Sequence, residues 1–532
     1  MAESSWRIPP EPIADEKIAK TLEADIIVIG AGHAGTAAAR AAAEAGASVI
    51  CIDKQKDKQQ WVLGFEIGTL NSRLALSRGI PEYDPLDLVR EWQRRTLNRS
   101  NPALVMKFAK NSGAALDWFI EPVEQKIIDN AYFFMNHPPK NAKADINGQV
   151  GFVGTCIFRN DDHPELELPV AVKQNQAYAI GLGARFFWQQ DAQYLTMEDG
   201  RVTGVIARDI SDRNVETYIH YKAGKGVLLA AGDFGANEEM VRELCVEGAD
   251  LCDPEGRIRS NTWDGRGIQM GVWAGGRLEP RPLAGGGPMA GPPGVLGSTA
   301  GWLTMNAFGK RFGDEGNIFA RIQGNMQPYG KYACVWDANW KEQLDREGLD
   351  HGALDPTGPE HFYGAIIKAL AEAPAKGPEG GDFMPPIGGM SMKIYAAYNL
   401  ADLADYLGYE GEARANFIST IKRYNEMCVT GRDEEFAKDP HLMLPIVQPP
   451  FYGMVSEKRY PVGGGGWTCG GLWTNDDQQV LNARLEPIPG LFASGNCCGN
   501  RFGMQYVCPI GGVSIGMALT LGRLAGDYMA KL

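Results

Sequence analysis

Gly30-x-Gly32-x-x-Gly35 and Asp53 are the residues of this chain whose types and spacing point most directly to chemistry. Glycines so spaced permit a tight turn, then the approach of backbone to a diphosphate, then close packing of a helix on a strand. The free N–H groups and positive dipole end of that helix would face the phosphates. Asp53 follows Gly30 by 23 residues, where an acid can accept a hydrogen bond from a ribose hydroxyl. The chemistry is dinucleotide binding. The fingerprint occurs once, with no second copy followed by an acid, so one dinucleotide is expected rather than two.

Those residues need a βαβ unit around them, and the flanking sequence supplies it. Residues 26–29 are a short apolar run ending in glycines, as a buried parallel strand reads. Residues 34–45 are alanine-rich, the strongest helix-forming composition, and 47–52 form a second apolar strand that delivers Asp53. Further on, 192–208 reads as two strands joined by an Asp-Gly turn, and 225–231 as a buried strand running into Gly232. The Gly/Pro-dense stretch 276–298 marks a boundary, and helical patterns cover 338–347, 363–373 and 397–427. From about 446 the sequence is strand and turn, with PVGGGGWTCGG at 461–471. Residues 487–496 read as a strand ending in glycine before a glycine-rich helix start, which would bring backbone N–H groups to a flavin ring. A last helix is predicted over 514–529.

Composition excludes several function classes. Lys+Arg 52 against Asp+Glu 65 gives a net charge of −13, which repels nucleic-acid backbones and anionic lipid surfaces. The ten cysteines contain no C-x-x-C, so no dithiol redox motif, zinc ribbon or haem attachment is expected, and buried thiols are the better reading. Seven histidines lack ligand spacing, and no metal site is expected. No apolar run approaches the ~18–20 residues that span a bilayer. The first twenty residues carry neither an apolar signal region nor a twin arginine, so a cytoplasmic protein is expected unless an export signal was removed.

Beyond these readings, an ordered set of motifs carries a resemblance. GAGHAGTAAARAAAEAGASV with Asp53-Lys54 is followed by LLAAGDFGANEEMV (228–241), WDGRGIQMGVWAGG (263–276), GKRFGDE (309–315), IPGLFASGN from 488 and GMALTLGRLAG to 526. In this order they resemble the flavoprotein subunits of fumarate reductases and succinate dehydrogenases, nearer to the 3-ketosteroid dehydrogenase-like and anaerobic-bacterial alkene reductase branch. The resemblance implies an α/β fold: a discontinuous Rossmann-type FAD-binding domain with an inserted α+β capping domain. The implied boundaries are an N-terminal arm 1–20, the first FAD part 21–280, the cap 281–445 and the second FAD part 446–532. It implies FAD contacts at Gly30, Gly32, Ala34, Gly35, Asp53, Lys54, Ala192, Gly232, Asp264, Gly495, Asn496, Ser514 and Ile515. Some relatives attach FAD covalently through a histidine after the first βαβ unit. No histidine lies between His33 and His137 here, so non-covalent FAD is expected.

The chain departs from the fumarate reductase pattern where that pattern grips a dicarboxylate. The arginine acid seven residues beyond the Phe of G-x-R-F falls on Phe319, counting from Phe312. The histidine of the His-Thr pair falls on Trp467, and the carboxylate-binding arginine on Pro509, although Arg501 lies upstream. A dicarboxylate needs bidentate cations to offset its desolvation, so fumarate is disfavoured. Ketosteroid dehydrogenases instead hold a carbonyl oxygen with a tyrosine and a backbone N–H before the last helix. Tyr506 and Gly512 look similar, with two extra residues between them. The same family's deprotonating tyrosine also falls on Phe319, which favours reduction over desaturation. The blander alternative for Tyr506 is a packed aromatic that caps a turn. Trp467 and Phe319 are expected to line the substrate pocket, Arg321 is a candidate proton donor, and Arg311 with Glu315 reads as a structural pair. The expected function is reduction of an activated C=C bond, an enone on a bulky apolar or aromatic skeleton, by hydride from flavin N5. Alternatives are the flavoprotein subunit of a fumarate- or urocanate-type carboxylate reductase, and a ketosteroid dehydrogenase working oxidatively. With one flavin as the sole electron carrier, a separate donor, a redox protein or reduced nicotinamide, is implied.

Overall fold

The computed structural model describes residues 4–62, 64–133, 145–146, 149–160, 163–212, 214–246, 263–285, 302–316, 327–346, 364–387, 390–456, 468–504, 506 and 509–532. The expected βαβ unit is present as β1 (Ile18–Ile29), α1 (His33–Glu44) and β2 (Val49–Asp53). β1 and β2 pair in parallel from Ile26↔Val49 to Ile29↔Ile52, and all these residues are buried. A strand covered on both faces needs an unbroken apolar run, which IIVI and VICI supply.

The unit sits inside an eight-stranded sheet. Its main path runs Gln479–Leu481, Pro487–Ala493, Thr217–Leu229, β1, β2, Arg185–Trp188. The Thr217–Leu229 strand pairs in parallel with β1, and its first half pairs antiparallel with Arg201–Asp209. Arg201–Asp209 pairs in turn with Gln190–Glu198 through a turn at Asp199 and Gly200, both at positive φ. That is the Asp-Gly hairpin the sequence predicts. The strand expected from 225 begins eight residues earlier, at Thr217, because the hairpin pairs with its amino-terminal half. Pro487–Ala493 then returns from the far end of the chain to pair Leu491 with Val227. The Rossmann-type domain is therefore discontinuous in sequence.

The C-terminal helix (Val513–Ala530) packs along α1 by means of small residues. A Cβ on Gly522 would stand 2.4 Å from the Ala34 carbonyl oxygen, and one on Gly526 would stand 2.2 Å from that of Ala38. Only glycine allows that approach.

The inserted cap carries its own antiparallel sheet, in the order Leu303–Asn306, Tyr332–Trp336, Phe451–Ser456, Met390–Ala397, Gly381–Ile387. Helices Leu400–Tyr406 and Gly411–Thr430 lie against it, burying Leu403, Phe417, Ile421 and Tyr424 with Leu303 and Val335. The single helical pattern expected over 397–427 is thus two helices, parted where Gly408 and Gly411 take positive φ. Arg311 and Glu315 are paired and buried, with Arg311 also gripping Asp433 at 2.7 Å. Trp6, in the N-terminal arm, is buried and donates its Nε1–H to Glu243 at 2.8 Å. Among the described residues no helix is long and apolar enough to cross a membrane.

Candidate active site

Beyond the carboxyl ends of β1, β2 and the Thr217–Leu229 strand lies an open cleft. Open parallel sheets place their ligands there. Gly30, Gly32, Ala34, Asp53, Lys54, Ala192, Gly232, Asp264, Gly495, Asn496, Ser514 and Ile515 all line it. They come from seven separate stretches of sequence. Gly35 does not line the cleft. A Cβ there would stand 1.8 Å from the Gly30 carbonyl oxygen, so its role is to let α1 close on the turn.

Two helices open onto this cleft without side-chain caps. Gly32 caps α1 and Gly512, at φ 72°, caps the C-terminal helix, and neither can offer a side-chain acceptor. Among the described residues the N–H groups of Ala34, Gly35 and Gly512 have no acceptor. A methyl on Gly32 would meet no protein atom within 4 Å, which leaves backbone facing open cleft. Arg266 lines the same space with a buried Nε that has no partner among the described residues. Unsatisfied N–H groups, two helix N-termini and a cation form a cradle that fits a diphosphate.

Asp53 is more constrained than its spacing suggests. Its Oδ2 accepts the Ala31 N–H at 2.7 Å and its Oδ1 the Gln55 N–H at 2.8 Å, so it pins the glycine turn while facing the cleft. Lys54 and Asp264 pair with one another at 3.1 Å. Burial pushes the Asp264 carboxyl up, but the Lys54 ammonium together with the Arg266 N–H and charge outweighs it and holds the group below the usual carboxylate range. Beside this pair Trp61 and Trp263 stack with ring centroids 5.0 Å apart, and both line the cleft. Sequence reasoning passed over these two tryptophans. The one available signal is that each lies within or beside a motif already tied to the nucleotide.

At the other end of the cleft the Pro509–Gly512 turn is held from below. Phe152 N–H donates to the Pro509 carbonyl at 2.8 Å, Thr155 Oγ1 to the Gly511 carbonyl at 2.9 Å, and Gly68 N–H to the Gly512 carbonyl at 2.9 Å. Tyr506 does not line the cleft. Its hydroxyl oxygen accepts the Ser514 N–H at 3.2 Å, and its ring lies edge-on to Phe502 with centroids 4.9 Å apart. That is the capping contact of the blander alternative. It also fixes the hydroxyl at the open end of the helix that carries Ser514 and Ile515 into the cleft. Phe319, Arg321 and Trp467 lie outside the described residues.

Comparison with known proteins identifies the dinucleotide. The profile of the FAD binding domain family matches residues 25–515. The chain belongs to the FAD binding domain family. Among curated proteins this family member is 25% identical to the digoxin reductase of Eggerthella lenta, over 96% of this chain and 87% of that one. It is 23% identical to the vinyl phenol reductase of Lactiplantibacillus plantarum, over 97% of this chain and 98% of that one. Among solved structures it shares the fold of a 3-ketosteroid-Δ4-(5α)-dehydrogenase from Rhodococcus jostii, with a TM-score of 0.66 at 21% identity, over 98% of this chain and 100% of that one. The chain is an FAD-dependent oxidoreductase. The fumarate reductase resemblance read from the motifs holds.

Proposed function

We propose that this enzyme reduces an activated carbon–carbon double bond, with an enone on a bulky apolar or aromatic skeleton as the favoured substrate. The observation that carries the reading is the Tyr506 hydroxyl, seated on the Ser514 N–H at the N-terminus of a cleft-lining helix. Bound FAD supplies the hydride, which adds to the carbon β to the carbonyl. Tyr506 and the Gly512 N–H hold the carbonyl oxygen, where enolate charge develops. The Ser514 N–H polarises the Tyr506 O–H toward donation, because hydrogen bonds in a chain strengthen one another. A proton added at the α-carbon then completes the saturated ketone. Arg321 is the candidate donor of that proton, and Trp467 and Phe319 are the proposed apolar walls in place of dicarboxylate-binding cations.

The two curated relatives are named as reductases of digoxin and of vinyl phenol, which supports the reductive direction. The reading includes non-covalent FAD, a cytoplasmic site of action, an external electron donor and the domain limits given above, with the cap extended to take in the Phe451–Ser456 strand that pairs within its sheet. Steady-state assays with reduced viologen across enones and dicarboxylates test it. Enones are expected to turn over faster; faster turnover of fumarate or urocanate would replace this reading with that of a carboxylate reductase.

A further inference from the structure

The cleft wall formed by Gly495 and Asn496 is backed by a buried charged side chain. Arg501 is wholly buried. Its Nε donates to the Cys498 carbonyl at 2.9 Å, and its Nη2 donates to the Cys469 carbonyl at 3.2 Å and to Asn496 Oδ1 at 2.8 Å. Its Nη1 is buried and, among the described residues, has no hydrogen-bond partner. Among the described residues no carboxylate forms an ion pair with it. A guanidinium carries its charge in the resting protein, and here that charge is held in an unfavourable place. Such arrangements persist where function uses them. Asn496 is the link to the cleft: it lines the cavity, and its Oδ1 also accepts from Ser514 Oγ at 3.4 Å.

Close by lies a buried carboxyl. Glu279 accepts the Gly471 N–H and the Asn500 N–H, each at 2.9 Å. Burial pushes it up to about 7, against the pull of those two N–H groups and of the Arg501 and Arg99 charges. The other titratable groups that feel it are the Cys245 and Cys498 thiols, both raised by burial and so neutral near pH 7.

We infer that Arg501 is a positioning residue that tunes the bound cofactor, a fixed cation one side chain behind the cleft wall that favours added negative charge on the ring system, with Glu279 as its opposing charge. Two electrons and one proton leave bound flavin one unit more negative than before. A buried cation behind the wall therefore raises the reduction potential, and a buried carboxylate lowers it. The inference rests on FAD occupying the cleft and not on the identity of the alkene.

The test is the midpoint potential of the FAD-loaded protein, titrated with dithionite against a reference dye and without substrate. Arg501→Gln is expected to lower the preference for reduced over oxidised FAD about tenfold, or ~30 mV for a two-electron couple. Glu279→Gln is expected to raise the potential at about pH 8 and to leave it unchanged at about pH 6, where the parent carboxyl is already protonated. Opposite signs are the signature, since a merely structural role would not produce them. Parent potentials in both variants, or shifts of the same sign, overturn the inference. Should Arg501→Gln fail to fold, Glu279→Gln decides alone: a rise at the higher pH that vanishes at the lower supports the inference, and any other pattern refutes it. Because no alkene enters the titration, failure here leaves the substrate reading untouched.

Discussion

Gly32 and Gly35 belong to one motif and answer to different constraints, which predicts different failures. A methyl on Gly35 would lie 1.8 Å from the Gly30 carbonyl oxygen, so Gly35→Ala must push α1 off the turn. Overpacking of this kind costs about 1–3 kcal/mol, and the variant is expected to purify with a lowered melting temperature and little flavin. Gly32→Ala meets no protein atom within 4 Å, so it should melt like the parent while its FAD dissociation constant rises. Equal effects from the two would mean that the cleft is not where the diphosphate sits. Tyr506→Phe tests the proposed chemistry: loss of one oxyanion donor should lower kcat about 10²–10³-fold at unchanged FAD content. A rate within a fewfold of the parent would leave Tyr506 as the helix cap its Ser514 contact already makes it. At this scale the fingerprint was legible because its spacing is local. Trp61, Trp263 and the partners of Arg501 were not, since each contact joins segments far apart in sequence.

Elements with a strong local pattern were read well. The hairpin, the last helix and the first βαβ unit lie within a few residues of their expected bounds, except that β1 begins at Ile18, eight residues before the apolar run that marks it. Helices Pro85–Arg95 and Pro102–Ile120 passed unread, although each has Asp84 or Asn101 as N-cap and proline in the first turn. Their signal was present and local. The cap sheet is a different matter: its central strand, Phe451–Ser456, is paired with Tyr332–Trp336 on one side and Met390–Ala397 on the other, and no local pattern announces such partners. The seam between α1 and the C-terminal helix gives a prediction at this scale. Gly526→Ala places a methyl 2.2 Å from the Ala38 carbonyl oxygen in the middle of two packed helices. The expected cost is again about 1–3 kcal/mol, read as a lower denaturation midpoint. A neutral result would mean that the helices separate readily and that the N-terminus of the last helix is not held rigidly at the cleft.

For the whole molecule, Glu279 sets a pH dependence. Its folded value of about 7 lies above the usual 4.5, so the native state binds the proton more tightly than the unfolded chain. The resulting stability is complete below about pH 4.5 and is lost as the pH rises through about 7, a change on the order of 3 kcal/mol. Melting temperature should therefore fall between about pH 5 and 7.5, and Glu279→Gln should flatten that slope. Asp433 acts in the opposite sense: burial raises it, but the bonds from Arg311 outweigh burial and hold it low, so its contribution fades only in strong acid. Acid precipitation is expected to release yellow flavin into the supernatant, and flavin retained in the pellet would contradict non-covalent binding. The return of Pro487–Ala493 to Thr217–Leu229 also bears on how the protein is made. A ribosome that has finished Leu229 has exposed a sheet edge whose neighbour, Leu491, is still untranslated. At about 5–20 residues per second that edge waits on the order of tens of seconds. During that interval the nascent chain carries half a nucleotide site and an unpaired strand, which makes it a client for chaperones before it can be a flavoprotein.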